Sequence, residues 1–398
     1  MSSRTNAIKQ LMEYRREIDG LRAFPVLPVI LFHAGFPAFS GGFVGVDVFF
    51  VISGYLITSI ILTEMQAGTF TIIGFYERRV RRILPALFFV MFACLPFAWL
   101  WMLPDDIKDF SKSLVAVSVF ASNILFWRQS GYFETAVEVK PLLHTWSLAV
   151  EEQYYLLFPI FLLLTWRFGK RWIVGILIAV AIISLALAQW GSSNRPAATF
   201  FLLPTRGWEL LIGVLIAFYL FGKRAEIKEA ENNRPNEAVS LIGLLLITYA
   251  VFAFNKSTPF PSIYAVIPTI GTALVILFAH PQTLVGNLLG SKGLVNIGLI
   301  SYSAYLWHQP LFAFARHRSD GEQSATLLLV LSCIALVLAY VSCKYIEKPF
   351  RNRGHINRRT LFVLSLIASA SLIAVGAYGY YKDGFIDRLT AATEDLPV

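Results

Sequence analysis

Charged residues and cysteines are both scarce in this sequence of 398 residues. Charged side chains make up 15% of it, whereas a soluble globular domain carries about a quarter. The 3 cysteines lack the paired spacing of a zinc site or a redox motif. The sequence also lacks a P-loop, a GxSxG elbow and an HExxH pair. These absences argue against a soluble protein, an ATP-driven pump, a serine hydrolase of the common kind and a metal enzyme.

Apolar residues dominate the sequence, with 56% hydrophobic residues and a mean hydropathy of +0.62. Apolar runs of membrane-spanning length recur along the chain and predict an all-α polytopic membrane protein with about eleven spans. No signal-peptide pattern precedes them, so we expect the first span to stay in the membrane. The predicted spans cover residues 21–38, 42–63, 83–103, 144–166, 172–190, 200–221, 238–254, 262–279, 294–315, 325–345 and 361–381.

The net charge of +9 comes from basic residues in alternate loops between the predicted spans, such as 78–82, 167–171 and 348–359. The positive-inside rule assigns basic loops to the cytoplasm. We therefore predict a cytoplasmic N-terminus and a periplasmic or extracellular C-terminus, and we expect no nucleic-acid partner. The outer loop 104–143 is richer in acidic residues. Its apolar stretch 114–127 is interpreted as a re-entrant or interfacial helix.

Arg22 and His33 are ionisable residues within the first predicted span, where such side chains are costly and mark functional sites. They are about three helical turns apart and project from nearly the same face. His33 falls near or just beyond the middle of the membrane. Histidine titrates near neutrality and can accept a hydroxyl proton, which makes His33 a candidate base. A neutral histidine hydrogen-bonded between helices is the equally weighted alternative.

The segment 41–54, GGFVGVDVFFVISG, is rich in glycine. Its glycines permit close approach of another helix, the favoured interpretation, or of a ligand. Asp47 lies near the predicted outer boundary and is expected to face water. It is a candidate for a substrate or structural role.

The segment HTWSLAVEEQYY, residues 144–155, places His144, Ser147 and Glu151 on one polar stripe of a helix. Glu152 points about 100° away from Glu151. At least one of the two glutamates should face the protein interior, because a carboxylate facing lipid is unfavourable. It can orient a histidine or bind a hydroxyl; an ion pair with an arginine is the alternative.

The segment SYSAYLWH, residues 301–308, also presents a polar face. Its candidate substrate or structural residues are Ser301, Tyr305 and His308. The separate pair Arg206 and Glu209 is spaced i, i+3 and predicts a structural salt bridge.

Four arginines, Arg78, Arg79, Arg81 and Arg82, lie in the segment ERRVRR. Arginines beside a membrane commonly set topology and contact lipid headgroups. Arginine also binds phosphate through two parallel hydrogen bonds. A cofactor with several phosphates is therefore a second interpretation of this cluster.

These groups, in this order, resemble the acyltransferase-3 family of membrane O-acyltransferases. The resemblance implies that His33 is catalytic, that Arg22 is a second essential residue, and that Glu151 or Glu152 contributes a carboxylate. It also implies that an Arg-x-x-Arg element contacts the acyl-CoA donor, through Arg78 with Arg81 or Arg79 with Arg82. The matching segments are YRREIDGLRA (14–23), FHAGFPAFSGGFVGVDVFFVISGYLIT (32–58), FYERRVRRILPAL (75–87), LLHTWSLAVEEQYYLLFP (142–159), LPTRGWELLIG (203–213) and SYSAYLWHQPL (301–311).

The family pattern implies a division of the chain into a cytoplasmic segment 1–20 and an acyltransferase-3 transmembrane domain 21–353. An additional span with its preceding linker follows at 354–381. Relatives that modify O-antigen continue after such a span into an SGNH-type domain outside the membrane. The outer tail 382–398 is therefore expected to begin a linker to such a domain, and a family member that lacks the domain is the alternative.

The resemblance also implies an O-acetyltransferase of the bacterial inner membrane. The donor would be acetyl-CoA or another acyl-CoA, and the acceptor a hydroxyl of an exported or surface glycan such as lipopolysaccharide O-antigen. His33 would act as general base or form a transient acyl adduct. Membrane lipid, the glycan and a fused or separate SGNH-type domain are the expected partners, with no metal. The alternatives are a proton-coupled transporter or flippase using the same residues as a relay, and a structural scaffold.

Overall fold

The computed structural model describes residues 14–130, 137–222, 235–319 and 323–388, and these ranges form helices and connecting turns without a β-strand. The predicted all-α fold is confirmed. Parts of the predicted segments 1–20 and 382–398 lie outside the described residues. The α-helices are α1 (Arg16–His33), α2 (Gly45–Gln66), α3 (Ile72–Trp101), α4 (Pro104–Ser118), α5 (Ser122–Gln129), α6 (Thr145–Thr165), α7 (Lys170–Asn194), α8 (Pro196–Phe201), α9 (Leu203–Gly222), α10 (Pro235–Ala253), α11 (Val266–Phe278), α12 (Leu284–Leu289), α13 (Lys292–His317), α14 (Ala325–Ser342), α15 (Lys348–Arg351) and α16 (Arg358–Tyr381).

Eight helical stretches of the described chain are long and apolar enough to cross a membrane, as expected for an all-α membrane protein. They correspond to eight of the predicted spans, and the total of about eleven stays a prediction. The predicted span 262–279 is a shorter apolar helical stretch, Ile263–Phe278. The other two, 21–38 and 294–315, correspond to α1 and α13, which carry several polar residues. The eight stretches are Gly42–Gln66, Ile72–Trp101, Thr145–Phe168, Lys170–Asn194, Pro196–Gly222, Asn236–Ala253, Ala325–Arg351 and Arg358–Tyr381.

Two helices begin earlier in the chain than the spans predicted for them. Helix α1 begins at Arg16 and ends at His33, so the helix lies about five residues earlier than the predicted span 21–38 and His33 is its last residue. Helix α3 begins at Ile72, so the four arginines of 78–82 lie within its first turns and not in a loop. Arginine is a good helix former, and no glycine or proline interrupts α3 between Phe75 and Leu84. A hydropathy criterion places a boundary where charge begins, whereas the backbone continues as helix.

The apolar stretch 114–127 is divided between two helices. Helix α4 begins at Pro104, with proline in the first turn where its missing N–H is tolerated. It ends before Phe120, which has a φ of 53° in the left-handed region, and α5 follows at once. At about 22 Å for 15 residues, α4 is shorter than a hydrocarbon core.

The chain divides into two compact units. Unit 1 contains Met1–Phe75 and Val150–Ser301, and unit 2 contains Tyr76–Ala149 and Tyr302–Val398. In unit 1, α2 packs closely against α9. A Cβ added at Gly54 would lie 2.0 Å from the Leu210 carbonyl oxygen, and one at Gly213 would lie 2.1 Å from that of Val51. The favoured interpretation of the glycine-rich segment, close helix packing, is therefore confirmed at Gly54.

In unit 2, helices α3 and α16 run in the same direction. Near their starts the Arg358 Nε donates to Glu77 Oε2 at 2.9 Å, and near their other ends the rings of Trp99 and Phe385 lie 5.1 Å apart. The basic segments at 78–82 and 348–359 therefore lie at one end of this unit, as the alternation of loop charge predicts. Helix α16 also packs on α4, where a Cβ at Gly376 would lie 2.6 Å from the Ser111 carbonyl oxygen.

The close packing of α2 on α9 predicts that Gly54→Ala destabilises the protein. The added methyl group would force two backbones apart, at a cost of about 1–3 kcal/mol. Thermal melting in detergent, followed by intrinsic fluorescence, measures the loss. The matched control is Gly175→Ala in α7, because a Cβ there meets nothing within 4 Å among the described residues. Equal melting temperatures for the two variants would contradict this account of the α2–α9 contact.

Candidate active site

His33 is the last residue of α1 and is half-buried. The helix ends there because Gly35, with a φ of +82°, turns the chain after the Ala34 N–H has bonded back to the Ile30 carbonyl. The His33 Nδ1 lies 2.9 Å from the Val29 carbonyl oxygen. A carbonyl accepts hydrogen bonds, so Nδ1 carries the proton and Nε2 carries the basic lone pair. The partial negative charge of a helix C-terminus favours a cation at this position.

Arg22 lies on the same helix about three turns before His33, roughly 16 Å along the axis. It is half-buried, and its Nη1 is 3.8 Å from Asp19 Oδ1. Pro25 and Pro28 lie inside the helix between the two residues. The helix therefore separates the two predicted site residues by most of its length.

Glu151 accepts a hydrogen bond from the Ser53 Oγ at 2.6 Å, and both glutamates of α6 are half-buried. Ser53 belongs to the glycine-rich segment in α2. This bond joins two segments that the sequence treats separately. Nothing in the sequence singles out Ser53, because a lone serine in an apolar span is common. Glu151 therefore makes a polar contact with another helix of unit 1.

Asp47, Arg206 and Glu209 form a fully buried ionic cluster in unit 1. The Arg206 Nη1 lies 3.3 Å from Asp47 Oδ1 and 3.2 Å from Glu209 Oε1, and all three side chains are at most 1% exposed. The predicted Arg206–Glu209 salt bridge is confirmed. The expectation that Asp47 faces water is wrong, because its carboxylate turns inward to the guanidinium. The rings of Phe50, Phe200 and Phe260 surround that guanidinium at 5.4–5.8 Å.

In unit 2, Arg81 differs from the other arginines of its segment. It is buried, its Nε donates to Glu77 Oε1 at 3.0 Å, and its Nη1 donates to the Phe350 carbonyl at 2.8 Å. These bonds give Arg81 a structural role. Glu77 is a residue that sequence reasoning missed, although it is the acidic residue directly before the arginines. The remaining three arginines are half-buried: Arg78, Arg79 and Arg82.

The structure brings together residues of two predicted polar segments in unit 2. The Ser147 and Tyr305 hydroxyl oxygens lie 2.8 Å apart, and the Tyr305 hydroxyl donates to the His144 carbonyl at 2.9 Å. The rings of His144 and His308 are 5.3 Å apart, and both residues are buried. Ser301 belongs to unit 1, where its buried hydroxyl has no hydrogen-bond partner among the described residues.

A buried hydrogen bond between Ser303 and Glu347 in unit 2 was also missed. The Ser303 Oγ donates to Glu347 Oε1 at 2.6 Å. Glu347 ends a π-helical turn, Cys343–Glu347, and π-turns occur often at functional sites. The signal in the sequence was an acidic residue just beyond the predicted span 325–345.

The comparisons with known proteins agree with this set of motifs. The family model described as an acyltransferase domain (Acyl_transf_3) matches residues 15–344, so the chain belongs to the acyltransferase-3 family. The O-acetyltransferases OatA of Staphylococcus aureus strains NCTC 8325 / PS 47 and COL are each 32% identical to it over 352 residues. These alignments cover 86% of this chain and 58% of each relative.

A third relative, SAR0937 of Staphylococcus aureus MRSA252, is 31% identical over 403 residues, covering 94% of this chain and 65% of that protein. The chain thus spans less than two thirds of the length of these curated relatives. No solved structure matches the chain. The predicted family is confirmed.

The ionic cluster around Arg206 predicts an asymmetry between two substitutions. Arg206→Gln leaves two buried carboxylates without their cation, which should cost about 3–5 kcal/mol. Asp47→Asn should cost less, because Glu209 still pairs with Arg206. Folded yield and melting temperature in detergent measure both effects. An equal or larger loss for Asp47→Asn would show that Arg206 is not the centre of this cluster.

Proposed function

We propose that the protein is a membrane O-acetyltransferase of the bacterial cytoplasmic membrane. It transfers an acetyl group from cytoplasmic acetyl-CoA to a hydroxyl of an exported or surface glycan, such as lipopolysaccharide O-antigen. The observation that carries the proposal is His33, whose Nδ1 is bonded within its own helix so that Nε2 is the basic nitrogen. Membership of the acyltransferase-3 family and similarity to proteins named O-acetyltransferases support it.

In this proposal His33 acts as a general base. Its Nε2 takes the proton of the acceptor hydroxyl while the oxygen attacks the thioester carbon of the donor. The carbon–sulfur bond then breaks, and the departing CoA thiolate receives the proton from His33. The C-terminal end of α1 stabilises the imidazolium that exists between these two transfers. Glu151, held by Ser53, and Glu152 are the candidate carboxylates that orient the reacting groups.

The phosphates of the donor are assigned to the arginines at the start of α3. Arg81 is buried and bonded to Glu77 and the Phe350 carbonyl, whereas Arg78, Arg79 and Arg82 are half-buried and more accessible to phosphate. This favours the register of Arg79 with Arg82, because both members of that pair are half-buried, whereas the register of Arg78 with Arg81 includes the buried Arg81. The division into a domain 21–353, a further span 354–381 and a tail 382–398 leading to an SGNH-type partner is part of the same proposal.

His33→Ala is expected to lower acetyl transfer about a hundredfold or more, the usual contribution of a general base. Purified protein in nanodiscs is incubated with labelled acetyl-CoA, and released CoA thiol and labelled products are measured. His280→Ala is the matched control, because it removes a histidine to which no role is assigned. Activity of His33→Ala near that of the wild type would overturn the catalytic assignment. Proton flux driven by a glycan precursor without acetyl-CoA turnover would favour the transporter.

Arg82→Ala and Arg79→Ala are each expected to raise the KM for acetyl-CoA about tenfold, the effect of losing one charge-assisted contact, with kcat nearly unchanged. Arg81→Ala should instead lower the melting temperature, because it leaves Glu77 and the Phe350 carbonyl with fewer partners. Steady-state kinetics and melting curves separate the two outcomes. If the Arg81→Ala protein is stable and shows the same rise in KM, the donor phosphates would be assigned to Arg78 with Arg81 instead.

A further inference from the structure

Three arginines surround the single carboxylate of Glu77 at the start of α3. Besides the Arg81 bond, the Arg358 Nε lies 2.9 Å from Glu77 Oε2 and the Arg353 Nε lies 3.5 Å from Oε1. The three guanidinium groups carry three positive charges and Glu77 carries one negative charge, which leaves this group of four residues with an excess of two positive charges. The sequence contains no acidic residue between 348 and 382 to balance them.

The three arginines differ in how firmly they are held. The Arg81 side chain is 4% exposed and has a second bond to a backbone carbonyl, so it is fixed. The side chains of Arg353 and Arg358 are 59% and 56% exposed. Their side chains extend into solvent, and Arg81 stays bonded to the buried Glu77 when they turn to another anion.

The start of α16 adds to the positive potential at this position. Arg358 is the first residue of that 24-residue helix, and the Asn357 side chain caps it by accepting from the Thr360 N–H at 2.8 Å. The N-terminus of a helix carries a partial positive charge that favours anions. Glu77 therefore pairs with two exposed guanidiniums beside a helix end that also carries partial positive charge.

We infer that Arg353 and Arg358 form a phosphate-binding site organised by Glu77. Each guanidinium can offer two parallel N–H donors to phosphate oxygens, and the local excess of two charges matches a phosphate group. Two ligands supply this chemistry, the phosphates of a CoA donor and the headgroup of an anionic lipid. For CoA the inference rests on the proposed function. Both arginines lie outside the matched residues 15–344, so this part of the site lies beyond the segment that the family model matches.

The test for CoA uses the whole chain in phosphatidylcholine nanodiscs, which contain no anionic lipid. CoA is titrated into the wild type, into the double variant Arg353→Gln with Arg358→Gln, and into the control Arg351→Gln with Arg359→Gln. The control removes the same charge from the same segment but leaves the ion pairs of Glu77 in place. We expect the dissociation constant for CoA to rise about tenfold or more in the first variant and by less than about twofold in the control.

The test for lipid compares melting temperatures in phosphatidylglycerol and phosphatidylcholine nanodiscs without CoA. If the phosphate comes from lipid, phosphatidylglycerol stabilises the wild type and the control, and the Arg353, Arg358 double variant loses that stabilisation. Equal behaviour of the double variant and the control in both the CoA and the lipid experiment would overturn the inference, since diffuse charge would then explain any binding.

Acetyl-CoA turnover by the same proteins separates this inference from the proposed function. Turnover in the wild type, with identical CoA affinity, KM and lipid response in the double variant and the control, would overturn the phosphate site and leave the acetyltransferase standing. CoA binding that depends on Arg353 and Arg358 without turnover in the wild type would support the site and overturn the acetyltransferase.

Discussion

A charged side chain in an apolar interior must find its partner within the protein, because neither lipid nor packed side chains can solvate it. This constraint determines the polar architecture of unit 1. Arg206 holds the carboxylates of Asp47 and Glu209 beneath aromatic rings, and its pair with Asp47 ties α2 to α9. The same two helices approach closely enough for Gly54 and Gly213 to contact backbone. The ion cluster and the small residues are therefore two parts of one helix contact.

Several features of the fold could be predicted from the sequence, and each has a local cause. The all-α class follows from recurrent apolar runs, and the Arg206–Glu209 pair follows from i, i+3 spacing. The shared end of the two basic segments in unit 2 follows from alternation of loop charge. Each of these predictions uses residues that are near in sequence or a property summed over a whole span. Such properties depend little on which helices become neighbours.

The features that were predicted wrongly or not predicted at all depend on tertiary neighbours. Asp47 was expected to face water because only its position in the chain was known, and Arg206 lies more than a hundred residues further on. Ser53 bonds to Glu151, which is far away in the sequence. Glu77 likewise pairs with the distant Arg353 and Arg358, and the sequence pattern alone does not connect these residues. The early start of α3 was missed because hydropathy responds to charge, whereas helix formation tolerates arginine.

The hydrogen bond from His33 to the Val29 carbonyl spans a single helical turn. The proton on Nδ1 is therefore held within one short peptide segment. Triads that fix a histidine through a distant carboxylate lose that control when the carboxylate is replaced. Here the acceptor is a main-chain carbonyl, which a side-chain substitution does not remove. The contact that holds the Nδ1 proton therefore persists when the Val29 side chain is replaced by another.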